Sequence, residues 1–255
     1  MNRNIALILS YDGSNYHGWQ TQANSVSVQS TLIKAASSLF NEEVKIIGCG
    51  RTDTGVHAKK YIASVRTSSM ISTEKIPFAL NSLLPNDISV KSAISVPDNF
   101  HPVHSCSEKE YTYYIYTDTS RDPFLEKRAL HYRYPIDISA VSKAASHFVG
   151  THDFSAVRSL GTPVNSTVRT IYKCDISKHK NIVSISISAN GFLYNMARAI
   201  VGTLLDVAAG KILPDEIPNI LESGDRSHAG ATAPAHGLYM TNVIYPDIFG
   251  IKSEL

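Results

Sequence analysis

The order in which strand-like and helix-like segments alternate is the strongest constraint on what this chain can fold into. Ile5-Ala6-Leu7-Ile8-Leu9-Ser10-Tyr11 is a short apolar run closed by Asp12-Gly13, the pattern of a buried strand. Over residues 28–40, Val28, Leu32, Ala35, Ala36, Leu39 and Phe40 recur at helical spacing behind Ser27, a candidate N-cap. Strands are expected at 44–49, 61–66 and 88–96, and a helix at 75–83 whose Pro77 fits a first turn. This half reads β-α-β-β-α-β.

The second half repeats the plan. An aromatic strand is expected at 109–117, then a helix at 138–149 with Asp137 as N-cap and Gly150 as its C′ residue. Strands follow at 168–177 and 182–189, a long helix at 193–209 ended by Gly210, a short helix at 215–221 and a closing strand at 238–245. The halves share no residue pattern, so the repeat is topological. Two split β-α-β plans predict an α+β protein of two ferredoxin-like halves, with mostly antiparallel sheets and helices on one face. Pro, Asp, Asn and His cluster at residues 97–105, which places the boundary between domains 1–104 and 105–255. Residues 158–166 are expected to form a mobile loop.

A chain of 255 residues buries a sizeable core without staples. With 43% hydrophobic and 18% charged residues it is neither a disordered tail nor a coiled coil. It has no apolar run long enough to span a membrane, and its first residues lack a signal core and cleavage site, so a cytoplasmic protein is expected. Cys49, Cys106 and Cys174 are odd in number and form no CxxC, which argues against a disulfide framework. Residues 101–200 carry 12 Lys/Arg against 8 Asp/Glu, while residues 201–255 carry 3 against 7. The middle of the chain therefore suits a polyanion better than its end does, although an uneven solvated surface gives the same count.

Phosphate-loop, dinucleotide, zinc-protease and nucleophile-elbow motifs are absent. His101, His104 and Cys106 could form part of a metal site, but three such residues with no second cluster read far more readily as ordinary structural groups. The densest chemistry lies in Gly48-Cys49-Gly50-Arg51-Thr52-Asp53-Thr54-Gly55-Val56-His57. Its glycines permit positive φ and close backbone approach. Arg51 stands near enough to hold Asp53 ionised as a nucleophile or base, and the same pair also reads as a turn stabilised by its own ion pair. Along 109–117, Tyr111, Tyr113 and Ile115 share one strand face and Thr112, Tyr114 and Tyr116 the other; one face belongs to a core and the other can stack bases. Arg198 interrupts an apolar helix, and a charge there is paired or faces a cleft.

Taken together, these blocks resemble the tRNA pseudouridine synthase A family over nearly the whole chain. Tyr11-Asp12-Gly13-Ser14-Asn15-Tyr16-His17-Gly18-Trp19-Gln20 is similar to the family's Y-D-G-x-x-Y-x-G-W-Q opening. Gly50-Arg51-Thr52-Asp53-Thr54-Gly55-Val56-His57-Ala58 resembles its active-site loop, and Lys109-Glu110-Tyr111-Thr112-Tyr113 its basic-x-Y-x-Y strand. Residues 191–202 resemble its G-F-L-Y-N-M-x-R-x-I-V-G helix, and Thr232-Ala233-Pro234-Ala235-His236-Gly237-Leu238 its closing block. Val103 stands where the family usually has Arg.

The resemblance implies isomerisation of uridine to pseudouridine at positions 38, 39 and 40 of the tRNA anticodon stem-loop. It implies no cofactor, no metal and no DNA partner, a homodimer, and an active-site cleft between the halves. It assigns Asp53 as catalytic nucleophile, Tyr111 as the tyrosine on the uracil, Arg198 as the partner of Asp53, Arg51 as part of the same loop and Lys109 as a substrate-binding residue. Two rival readings are a silent RNA-binding module and a metal-dependent hydrolase using Asp53, His57, His101 and His104.

Overall fold

The computed structural model describes residues 2–161 and 164–252 and divides the chain into two compact units. The first comprises Met1–Lys109 and Tyr239–Leu255, the second Glu110–Leu238. The sequence boundary had placed residues 239–255 with the second half, and the structure assigns them to the first. Thr162 and Pro163 of the loop expected at 158–166 lie outside the described residues.

The first unit opens with β1 (Arg3–Tyr11), whose residues Ile5–Leu9 are all buried. Helix α1 (Val28–Phe40) follows, capped as expected: the Ser27 hydroxyl accepts from the Ser30 N–H at 3.1 Å. Its inward face is Val28, Leu32, Ala35, Ala36 and Phe40. Then come β2 (Ile46–Gly48), β3 (His57–Thr67), α2 (Ile76–Asn81) with Pro77 in its first turn, and β4 (Ile88–Val96). β1 lies between β3 and β4 and is antiparallel to both. Its register on β3 shifts between Leu9 and Tyr11.

The second unit is built from β5 (Glu108–Tyr116) from Glu110 onward, β6 (Leu130–His131), α3 (Ile138–Ser146), β7 (Gly150–Asp153), β8 (Val168–His179), β9 (Ile182–Ala189), α4 (Met196–Ala208) and α5 (Ile217–Ser223). Its strand order is β5-β9-β8-β7, with the short β6 paired in parallel to the end of β5. The short strands β6 and β7 carry too few residues to show a period, which is why the sequence pattern missed them. Helix α3 stops at Ser146, so Gly150 is not its C′ residue; with φ +120° it opens β7 instead. Helix α4 starts later than its apolar run because Asn195 is left-handed, φ 60°, and a helix does not continue through such a residue.

The closing strand β10 (Leu238–Ile244) explains the split first unit. Tyr239 and Met240 pair in parallel with His57 and Ala58 of β3. Met240 is fully buried there, 3.6 Å from Cys49 Sγ. The α+β class and the mostly antiparallel pairing agree with the element order; the β10–β3 ladder is the parallel exception in the first unit.

Met240→Ala removes a buried side chain from the first unit and is expected to cost about 2–5 kcal/mol. Hydrogen exchange locates the loss: β3 amides should exchange faster while β8 and β9 amides keep their protection. Loss of protection in β8 and β9 alone would contradict the assignment of β10.

Candidate active site

In the first unit, the loop between β2 and β3 presents Asp53, and the segment 11–19 clamps it. The Thr52 carbonyl accepts the Trp19 N–H at 3.1 Å, and the Thr52 hydroxyl lies 2.9 Å from Tyr11 Oη. The Val56 N–H returns to the Asp53 carbonyl at 3.1 Å, and the Gly55 N–H reaches the Tyr16 carbonyl at 3.3 Å. Gly55 sits at φ +80°, as the third position of such a turn requires. Gly18, at φ +78°, lies so close that a Cβ would stand 2.2 Å from the Thr52 carbonyl oxygen. Under the loop, Trp19 stacks on Tyr61 at 4.2 Å and Tyr11 meets Tyr61 edge-on at 5.6 Å, with all three rings buried. Tyr61 Oη also donates to the Gly50 carbonyl. Asp53 itself is half-buried on a backbone with little freedom to move.

The expected pairing of Arg51 with Asp53 is not made. Arg51 is exposed, and its guanidinium forms no ion pair or hydrogen bond with a described residue. The loop is held by backbone contacts, so it needs no ion pair of its own, and the Arg51 charge stays in water. Lys109 does lie at this loop: a Cβ on Gly50 would stand 3.5 Å from Lys109 Nζ. Cys49 is no thiolate nucleophile, because burial pushes its pKa up to about 12.

In the second unit, the Arg198 guanidinium is fixed at two points. Nε donates to the Ala233 carbonyl at 2.7 Å and Nη1 to Asn195 Oδ1 at 2.8 Å. The left-handed Asn195 in turn donates from Nδ2 to Ser159 Oγ at 2.9 Å. Helix α4 meets the 230–233 backbone with no side chain between them: a Cβ on Gly202 would fall 1.6 Å from the Ala231 carbonyl oxygen, and the Gly230 N–H donates to Thr203 Oγ1 at 3.0 Å. Tyr113 Oη donates to the Pro234 carbonyl at 2.8 Å, and burial raises its pKa. Thr232-Ala233-Pro234-Ala235 is therefore a brace for Arg198 and for β5, a role its sequence did not reveal.

On β5 the core face is Tyr111, Tyr113 and Ile115. Tyr111 is thus no open stacking platform. It is 8% exposed, and its ring meets that of Phe192 edge to face at 4.8 Å. Tyr114 and Tyr116, on the other face, are half-buried.

The groups invoked by the hydrolase reading are engaged in the fold. His57 is buried, stacks on Tyr239 at 4.4 Å and accepts the Gly13 N–H at Nδ1, 3.0 Å. The same nitrogen lies 3.1 Å from Asp12 Oδ1. His101 Nδ1 accepts the N–H groups of Val103 and His104 at 3.2 and 3.3 Å, and burial followed by the His104 charge lowers its pKa. Cys106 Sγ donates to the Glu108 carbonyl at 3.3 Å. Among the described residues no three His, Cys, Asp or Glu side chains are arranged to hold a metal ion. Nor is any described helix long and apolar enough to cross a membrane.

Gly18→Ala is expected to cost about 3 kcal/mol, from left-handed strain plus the clash with the Thr52 carbonyl. Gly50→Ala, whose Cβ meets only the ends of two flexible side chains, should cost less than about 1 kcal/mol. Urea denaturation of both variants checks this; equal losses would show that the loop is not clamped by close approach.

The family described as tRNA pseudouridine synthase matches residues 7–104 and 144–246. A tRNA pseudouridine synthase A from Thermoanaerobacter sp. (strain X514) is 49% identical over 243 residues, 95% of this chain and 100% of the relative. One from Bacillus subtilis (strain 168) is 43% identical over 239 residues, 93% and 97% of the two chains. Among solved structures, the archaeal box H/ACA sRNP Nop10-Cbf5 complex is matched at a TM-score of 0.34 and 9% identity, over 80% of this chain and 43% of that one, too slight a likeness to carry weight. On the family match and on identity sustained over nearly the full length, the chain belongs to the tRNA pseudouridine synthase family.

Proposed function

We propose that this protein isomerises uridine to pseudouridine in tRNA, at positions 38, 39 and 40 of the anticodon stem-loop, with Asp53 as nucleophile. The observation that carries the reading is the clamped Asp53 loop in a chain of this family: a carboxylate on a backbone pinned through Thr52 and Val56 is aimed before substrate arrives. In the reaction the C1′–N1 bond breaks, the uracil turns, and C1′ rejoins through C5. The C5 proton is lost and N1 gains one. Asp53 adds to the base or to C1′ and stabilises oxocarbenium-like charge as a glycosidase carboxylate does.

Tyr111, firmly held against Phe192, is proposed to form one wall for the uracil and to move the C5 proton through its hydroxyl. Arg198, held by Ala233 and Asn195, is proposed as the cation that pairs with the Asp53 carboxylate. Arg51 and Lys109 supply salt-sensitive contacts to the RNA backbone. Removing the uridine from its stack costs a few kcal/mol, which these contacts offset. The proposal needs neither cofactor nor metal, and it has the protein working in the cytoplasm as a homodimer.

Release of tritium from 5-tritiated uridine in tRNA is the decisive assay, because the C5 hydrogen leaves only if the base is rejoined through C5. Asp53→Asn should abolish release while tRNA binding and folding persist; a variant retaining more than about a tenth of the wild-type rate, under 1.4 kcal/mol of barrier, would remove Asp53 from the mechanism. Tyr111→Phe keeps the ring and should slow single-turnover chemistry by about 10²-fold with tRNA affinity little changed. Weakened binding with unaltered chemistry would reduce Tyr111 to a positioning role.

A further inference from the structure

Arg169, on β8 of the second unit, is built to take an anion. A guanidinium has five N–H donors. Both donors of Nη1 are used locally, to the Ser166 carbonyl at 2.9 Å and the Val168 carbonyl at 2.7 Å, which fixes the plane of the fork. Nε and Nη2 meet no acceptor among the described residues, and neither is sealed from solvent. No carboxylate among the described residues pairs with Arg169. The side chain is half-buried, and burial lowers its pKa. A partly desolvated cation without a counter-charge is unfavourable until an anion reaches it.

Its place in the fold says which anion. The side chain lies over Gly191: a Cβ there would stand 3.6 Å from Arg169 Nε and 3.8 Å from its Cδ. The next residue, Phe192, packs edge to face on Tyr111. The backbone joining the two is rigid, since the Asn190 N–H donates to the Thr170 carbonyl at 3.1 Å and the Thr170 N–H to Asn190 Oδ1 at 3.0 Å. Gly191 adds no side chain beside the guanidinium edge.

We propose that Arg169 binds a phosphodiester group of the RNA next to the uridine held by Tyr111, through its Nε and Nη2 edge. The fork geometry suits two phosphate oxygens at once, and phosphate oxygens are the commonest polar contacts of nucleic-acid-binding proteins. The inference rests on tRNA being the substrate and adds a substrate-binding residue to that reading.

The test uses full-length Arg169→Gln and Arg169→Lys. Binding to tRNA across a salt series should show the Gln variant about 10-fold weaker at low salt, with a slope of log K against log [salt] shallower by about one phosphate, 0.7–0.9. The Lys variant should recover the slope but only part of the affinity, because it keeps the charge and loses the fork. In stem-loop substrates with a single neutral methylphosphonate at successive linkages around the reacting uridine, one linkage should weaken the wild type about 10-fold and leave the Gln variant unaffected. A wild-type salt slope in the Gln variant, or a lowered thermal midpoint with no linkage-specific difference, would show that Arg169 only closes the 166–168 turn and would overturn the proposal. Failure of the wild type itself to release tritium would instead remove the functional reading on which this one rests.

Discussion

The approach of the Gly18-Trp19 backbone to the Thr52 carbonyl is the constraint on which the Asp53 loop depends. The role proposed for Asp53 requires that its carboxylate be positioned before the substrate binds, and loops rarely set position unaided. Here the setting is done by main chain. The Trp19 N–H takes the Thr52 carbonyl, and Gly18 comes closer than any Cβ would allow. Three buried aromatic rings beneath resist collapse of the loop. Gly13 repeats the device at the far end of the loop, where a Cβ would stand 2.0 Å from the Val56 carbonyl oxygen. Backbone contacts of this kind need no charge, so Arg51 remains in solvent and available to another partner.

The second unit reaches the same end by a different route. Arg198 could not stay in an apolar helix without acceptors, and it finds them in the Ala233 carbonyl and the Asn195 side chain. Both acceptors exist only because the local backbone is unusual. Asn195 is left-handed, which makes α4 begin at Met196 and leaves the Asn195 amide within reach of Arg198. Ala233 is within reach because Gly202 and Gly230 let helix and loop touch main chain to main chain. The small residues of the closing block therefore hold an arginine and a tyrosine, Tyr113, in one orientation each.

Much of this was legible in the order of residues. Strands at 88–96 and 182–189 and the helix at 28–40 were read to the residue, because each carries a clear period and a cap or turn at its ends. Asp53, Tyr111 and Arg198 stood out because each departs from its local pattern: an acid among glycines, a tyrosine run, a cation in an apolar helix. Roles that depend on distant neighbours were not legible. Trp19 and Gly18 looked like a family marker, yet they are the clamp on Asp53. Arg169 sat unremarked in a strand, because nothing in its neighbours along the chain shows that a glycine twenty-two residues later comes to lie beside its guanidinium.

The sequence by itself determined the α+β class, most of the element order and the chemistry available to the protein, since hydrophobic period, capping and residue type act over a few residues. Tertiary structure alone decided that β10 closes the first unit, that Arg51 and Asp53 do not pair, and that Tyr111 belongs to a core face. Each of those outcomes is a choice among partners far apart in the chain. It is settled by close packing and by the need to satisfy every buried donor and acceptor at once, a condition that only the complete fold imposes.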